Sequence, residues 1–430
     1  MTDAAPGPTV SAPTRPRRRR LVVAVAVILV VVLAAGGLVI GRMALDGWET
    51  RMHQEALQPF YDPPVPLPSA PGTLIRTEPL GVPWQTITGA TALRILYVTQ
   101  LPDGSPAPSS GMLFIPTSPA PPGGRPIVSW AHPTTGFGDP CVPSRSGSQD
   151  LIGGWLQQML DAGWIVVATD YVGMGTPGTP MYLVGASEAR DVVNAVRAAR
   201  QAPDADAGTR WAVWGHSQGG HAALWTGALA AELAPELTLV AVAAAAPAAE
   251  LGALVHLQWD TPVGWVIAPE ASISWQVAYP GLPLEGVISA AGLRNGERIA
   301  TDCIKQAAIE GLIREEFRQS YFAVDPTTNA QWAHVFTAET PPPLPAGLPI
   351  LVAQGTADPV VIPSTTALLQ QRWCAAGSEL TMDWLGGIGH NKAGEVAGPG
   401  AVTFLAAAFD GHPAAGTCEV PPPVAPYAAE

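Results

Sequence analysis

Four short apolar runs, RPIVSWAH, GWIVVATDY, RWAVWGHS and LTLVAVAAAA, recur between Arg125 and Ala246, each bounded by turn residues. Helical stretches separate them: DLIGGWLQQMLDAG, SEARDVVNAVRAARQA and GGHAALWTGALAAELA. A strand apolar along its whole length is buried on both faces, and parallel neighbours need a crossover such as a helix. The alternation therefore restricts this chain to α/β architecture, a mostly parallel central sheet with helices on both faces. In the second helix Val192, Val193, Val196 and Ala199 share one face, leaving Glu188, Arg190, Arg197 and Arg200 for water. Upstream, LRILYVTQ (Leu93–Gln100) and GMLFIP (Gly111–Pro116), joined by DG and Pro signals, read as a hairpin-like pair.

The rhythm breaks after Ala246. Residues 247–345 carry scattered Trp259, Trp265, Trp275, Tyr279 and Trp332, an amphipathic CIKQAAIEGLIREEF, and then TPPPLPAG. This reads as an inserted cap or lid between a first core part, 73–246, and a second, 346–420. LPILVAQGTADPVVIP restores a strand at Leu348, and a helix follows at Thr365–Cys374. SELTMDWLGGIGHNKAG supplies a last strand ending in a loop; a helix near Ala401–Phe409 and a tail, 421–430, close the chain.

The N-terminus has another character. Residues 1–20 are Pro- and Arg-rich and end RPRRRR; the uncharged LVVAVAVILVVVLAAGGLVIG follows at 21–41. About 20 apolar residues cross a bilayer core, so 21–41 reads as a transmembrane signal anchor. The preceding arginines keep residues 1–20 in the cytoplasm and put the remainder outside. Secretion after signal cleavage is the alternative, since Ala34-Ala35-Gly36 offers small residues. Residues 42–72 read as a stalk and Pro-rich linker. With the six Arg and one Asp of residues 1–42 set apart, 16 basic and 34 acidic residues remain, a net charge of −18. Such a surface repels phosphate backbones and argues against nucleic-acid binding. Cys141, Cys303, Cys374 and Cys418 are far apart and, in an exported domain, imply two disulfides with three connectivities open. With no C-x-x-C, no H-E-x-x-H and no ligand cluster, no metal or cofactor is expected. No obligate protein partner is implied.

VWGHSQGG, Val213–Gly220, holds the chemistry. The spacing G-x-S-x-G is weak alone, but here it stands between a strand and a helix, where a nucleophile elbow belongs. Ser217 is then the nucleophile, with Gly215 and Gly219 leaving room for a strained turn. A serine hydroxyl needs a base, and the base an orienting acid. In this order of elements the acid comes first: Asp358 in ILVAQGTADPVV, then His390 in WLGGIGHNKAG, on a Gly-rich loop. His221 lies on the elbow helix, His256 and His334 in the cap and His412 in the tail; His216 is expected to pack against the sheet. The oxyanion hole would use the backbone N–H of Gln218 and a donor from IVSWAHPTTGFGDPC, Thr135 first and Thr134 next. Gly173-x-Gly175-x-x-Gly178 imitates a dinucleotide fingerprint, but Pro177 and Pro180 stand where its helix would open.

QPFYDPP, PGTLIRTEPL, the AH-x-TTG loop, DYVGMGTPG-x-x-x-YLVG, GHSQGG, QGTADPVV and GIGH follow in this order between about Pro59 and Cys418. In these the chain resembles the secretory lipases of the α/β-hydrolase superfamily. The resemblance implies Ser217, Asp358 and His390 as the triad, a lid after the sixth core strand, and the pairs Cys141–Cys303 and Cys374–Cys418. HPTTG departs from the family's HGTTG, and Pro133 removes a backbone donor there. The implied activity is serine ester hydrolysis of hydrophobic esters, acylglycerols foremost, through an acyl-enzyme. The alternatives are an acyltransferase on the same triad and a catalytically silent binding protein.

Overall fold

The apolar runs form strands β1 (Leu74–Pro79), β2 (Ala90–Gln100), β3 (Pro106–Pro116), β4 (Arg125–Ala131), β5 (Ile165–Thr169), β6 (Ala207–His216), β7 (Thr238–Ala245), β8 (Ile350–Gly355) and β9 (Leu380–Leu385). This is a computed structural model, described at residues 1–2, 4–5, 7–8, 41–42, 45–81, 87–146 and 153–428. Among the described residues the strands make a nine-stranded sheet in the order β1-β2-β3-β5-β4-β6-β7-β8-β9. The first four in that order pair antiparallel. From β5 onward every pairing is parallel.

Helices α1 (Trp155–Asp161), α2 (Gly185–Ala199) and α3 (Gln218–Leu233) alternate with the strands. Side chains alternate across the sheet. Ile165 and Val167 of β5 enter one core with Val192 and Val196 of α2 and Leu224 of α3. Val166 and Ala168 enter the other, with Trp130, Trp214 and Trp155. Each face is thus covered, which is why β5 is buried throughout.

Between β7 and β8 lie α4 (Leu251–Gln258), α5 (Pro262–Ala278), α6 (Ala290–Thr301), α7 (Ile304–Glu316) and α8 (Ala330–Ala338). They share an apolar core around Trp265, Trp275, Trp332 and Phe336. Caps set several boundaries: Ser289 accepts from the N–H of Gly292, and Asn329 from those of Gln331 and Trp332. α9 (Pro363–Ala375) and α10 (His390–Phe409) follow β8 and β9.

Three expectations are corrected. The last helix begins at His390, so this histidine opens a helix instead of sitting on a loop. The run includes Pro399, and small residues let it approach β6 and α1 closely. A Cβ on Gly394 would meet His216 Cγ at 3.0 Å, and one on Gly398 would meet Trp155 Cδ1 at 2.5 Å. Glu188, assigned to the wet face of its helix, is 1% exposed. In α7 the aliphatic side faces outward: Ala307 and Gly311 are buried, while Ile309, Leu312 and Ile313 are exposed.

The chain divides into residues 1–56 and 57–430. In the first, residues 45–56 are helical. The span expected at 21–41 lies outside the described residues except for Gly41. Among the described residues no helix is long and apolar enough to cross a membrane. Within 57–72, expected as linker, Phe60 and Tyr61 are buried, and the Tyr61 hydroxyl is 2.8 Å from Ser144 Oγ. Disulfides join Cys141 to Cys303 and Cys374 to Cys418.

Candidate active site

β6 ends at His216 and α3 starts at Gln218, leaving one residue for the turn. Ser217 makes it at φ 57° and ψ −117°. That conformation costs about 1–3 kcal/mol in a non-glycine residue and persists only where the surroundings enforce it. The enforcement is visible: Ser217 N–H donates to Ala245 O at 2.9 Å, and Ser217 O accepts from His221 N–H at 3.0 Å. A Cβ on Gly215 would stand 1.9 Å from Gly219 O, and one on Gly219 would stand 1.8 Å from Ala131 O. Both glycines are required by space, and the end of β4 is pressed against the elbow.

The structure brings Ser217, His390 and Asp358 together. Ser217 Oγ lies 2.9 Å from His390 Nε2, and His390 Nδ1 lies 2.8 Å from Asp358 Oδ2. A carboxylate only accepts, so Nδ1 carries the proton and Nε2 is free to receive one from the hydroxyl. Asp358 is buried and doubly used. Its Oδ1 accepts from the N–H groups of Val360 and Val361 at 2.8 and 2.9 Å, an Asx-type turn, while Oδ2 faces the imidazole. The Gln354 amide also donates to Oδ2 at 3.3 Å and is itself held by the Thr366 hydroxyl at 2.7 Å.

His216 has a role that sequence reasoning missed. Its ring packs on α10, 5.0 Å from the ring of His390, and its Nε2 donates to the His390 carbonyl at 3.1 Å. Burial, with the adjacent His390 adding to it, pushes its pKa down to about 3, so it is a neutral donor fixing the backbone of His390. Its position directly before Ser217 was the signal available. For Gln354 there was none.

The N–H of Gln218 is the first of α3 and has no partner within the helix. Thr135 is buried, and its Oγ1 has no hydrogen-bond partner among the described residues. Thr134 Oγ1 is instead engaged with the Tyr182 hydroxyl at 2.7 Å. The loop carrying both is tied to α6 and α7. Thr135 O accepts from Ile304 N–H at 2.9 Å, Phe137 N–H donates to Ala300 O at 2.7 Å, and Cys141 bonds to Cys303. Gly173, Gly175 and Gly178 lie in a loop with positive φ, and α2 opens only at Gly185. Ser217 borders a cavity of about 90 Å³ lined mainly by apolar groups, among them Leu251, Ile267, Trp275 and Phe336.

The secretory lipase family matches over residues 152–417. The chain belongs to that family. Its members are hydrolases of lipase and esterase type. The structure is similar to lipase A of Candida antarctica in its closed state, at 20% identity and TM-score 0.68, over 86% of this chain and 89% of that one. It is also similar to the rice cell wall degrading esterase LipA of Xanthomonas oryzae, at 21% identity and TM-score 0.67, over 80% and 100%. These likenesses establish the α/β-hydrolase fold for this secretory lipase family member. No curated protein matches it in sequence.

Proposed function

We propose that this protein is a serine ester hydrolase acting on hydrophobic carboxylic esters, acylglycerols foremost. The observation that carries the reading is the continuous hydrogen-bonded series Ser217–His390–Asp358 on the wall of an apolar cavity. Ser217 Oγ attacks the ester carbonyl and passes its proton to His390 Nε2. Asp358 orients the ring and stabilises the imidazolium. The Gln218 N–H and a donor at Thr135 meet the oxyanion. His390 returns the proton to the departing alcohol, and water then resolves the acyl-enzyme by the same groups.

The cavity admits the acyl chain, and the helices 247–345 act as a cap over it. Apolar lining removes the chain from water at about 0.8 kcal/mol per CH₂, so kcat/KM should rise with chain length until the cavity is full. The test is a chain-length series of acyl esters on the purified protein, with Ser217→Ala and a fluorophosphonate probe alongside. Ser217→Ala should abolish turnover of short p-nitrophenyl esters with unfolding unchanged, and the probe should label only the wild type. Turnover surviving in Ser217→Ala overturns the reading. Ester products formed with an added alcohol would assign acyl transfer instead.

A further inference from the structure

A second group of charged side chains lies behind the elbow, unused by the steps above. Glu188, in the first turn of α2, and His221, in the first turn of α3, are 1% and 0% exposed. His221 Nδ1 is 2.6 Å from Glu188 Oε2, and its Nε2 is 2.7 Å from the backbone carbonyl of Glu339. A carbonyl oxygen only accepts, so Nε2 carries a proton. Burial lowers the basicity of the ring, but the charge and hydrogen bond of Glu188, with those of Glu339, outweigh it and raise the pKa. Both ring nitrogens thus face acceptors, and these surroundings favour the charged form of the ring beside Glu188.

Its connections lead to the site. Glu188 Oε1 accepts from the side-chain amide of Gln218 at 3.0 Å and from the N–H of Leu183 at 3.1 Å. The carboxylate of Glu339, which caps α8, accepts from Gly185 N–H at 2.7 Å and from the Tyr279 hydroxyl at 2.6 Å. A continuous network thus runs from the residue after the nucleophile, through the start of α2, to the ends of α5 and α8. Holding helices together does not call for charge: a buried ion pair costs several kcal/mol per ion in desolvation, and apolar residues of equal volume often do as well.

We propose that Glu188 and His221 are positioning residues for the oxyanion site. This rests on the reading of Ser217 as nucleophile. Glu188 pins the Gln218 side chain and so fixes the peptide whose N–H faces the developing negative charge, before substrate arrives. An isolated carboxylate so near would repel that charge; His221 neutralises it. The two residues are needed as a pair, and the pair also ties the elbow to the helices that close the cavity.

The test compares Glu188→Gln, His221→Gln, their double variant, Gln218→Leu and Gln218→Leu combined with Glu188→Gln, each confirmed folded by near-UV circular dichroism. Readouts are kcat, KM and the affinity of a trifluoromethyl ketone that mimics the tetrahedral adduct. Glu188→Gln and Gln218→Leu should each lower kcat about ten- to a hundredfold and KM by less than about threefold, with the ketone affinity falling in proportion to kcat/KM. Combined, they should cost little more than either alone, because one weakens and the other removes the same connection. His221→Gln should cost more than Glu188→Gln, and the double variant should recover toward the Glu188→Gln level. Unchanged kcat in folded Glu188→Gln and Gln218→Leu, additive losses, or no recovery in the double variant would overturn the proposal. Where a charge variant does not fold, Gln218→Leu, which leaves the ion pair intact, decides. A wild-type protein that neither turns over esters nor reacts with fluorophosphonate removes the underlying reading instead.

Discussion

Asp358 illustrates how, on the proposed reading, one side chain serves fold and chemistry together. Its Oδ1 closes the turn after β8 with Val360 and Val361, and its Oδ2 sets the tautomer of His390. Asp358→Asn preserves the turn but places an amide against Nδ1 in place of a full charge. We expect kcat to fall about a thousandfold or more with KM little changed, checked by steady-state kinetics on a p-nitrophenyl ester. His216 should make the fold more sensitive to acid. Its pKa in the fold is about 3, through burial and the nearby His390, against an ordinary 6.5. Between these values the unfolded chain binds a proton that the folded one refuses. The contribution is complete above pH 6.5 and is lost as pH falls toward 3. Urea unfolding across that window should show a flatter decline for His216→Gln than for wild type. An unchanged slope would exclude His216 as the source.

Among elements, the loop after β4 is the one whose shape is imposed from outside. Pro133 deprives it of a donor, and its geometry is set by Ile304, Ala300 and the Cys141–Cys303 bond to α7. The bond closes a loop of sequence separation 162, so its removal should lower stability by about 2–5 kcal/mol. Because the tether also places Thr135, replacing both Cys141 and Cys303 by Ser should reduce kcat at temperatures where the protein is still folded. Loss of the Cys374–Cys418 bond, remote from that loop, should lower the unfolding midpoint and leave kcat intact. Equal effects on kcat from both pairs would refute this distinction. α7 shows the limit of reading periodicity. CIKQAAIEGLIREEF is amphipathic in sequence, yet it packs through Ala307 and Gly311, because close approach to Pro262 and Trp265 rewards small residues.

For the whole molecule, the two disulfides and the family's secretory character agree with export of residues 57–430, and we propose that residues 21–41 direct it. Protease added to intact cells should then digest the folded part. Without protease, the size of the mature chain would distinguish an anchored chain from one cleaved near Ala34-Ala35-Gly36. Full protection would overturn the topology. Both faces of the sheet carry extended apolar cores. β5 is buried on both sides, and the rings of Trp130, Trp155 and Trp214 pack edge-on or tilted within 6.3 Å of one another on one of them.

The sequence by itself determined the α/β alternation and the elbow, since buried strands must be apolar throughout and a turn this tight admits only glycine at Gly215 and Gly219. The candidate triad was legible because serine, acid and histidine each stand at a strand's carboxyl end in a set order. Tertiary structure alone decided the rest. It made His390 the first residue of a helix, turned His216 into a brace, and buried Glu188 against His221. Each of these depends on contacts between residues 30 or more apart in sequence, and such contacts leave no local period by which a chain can announce them.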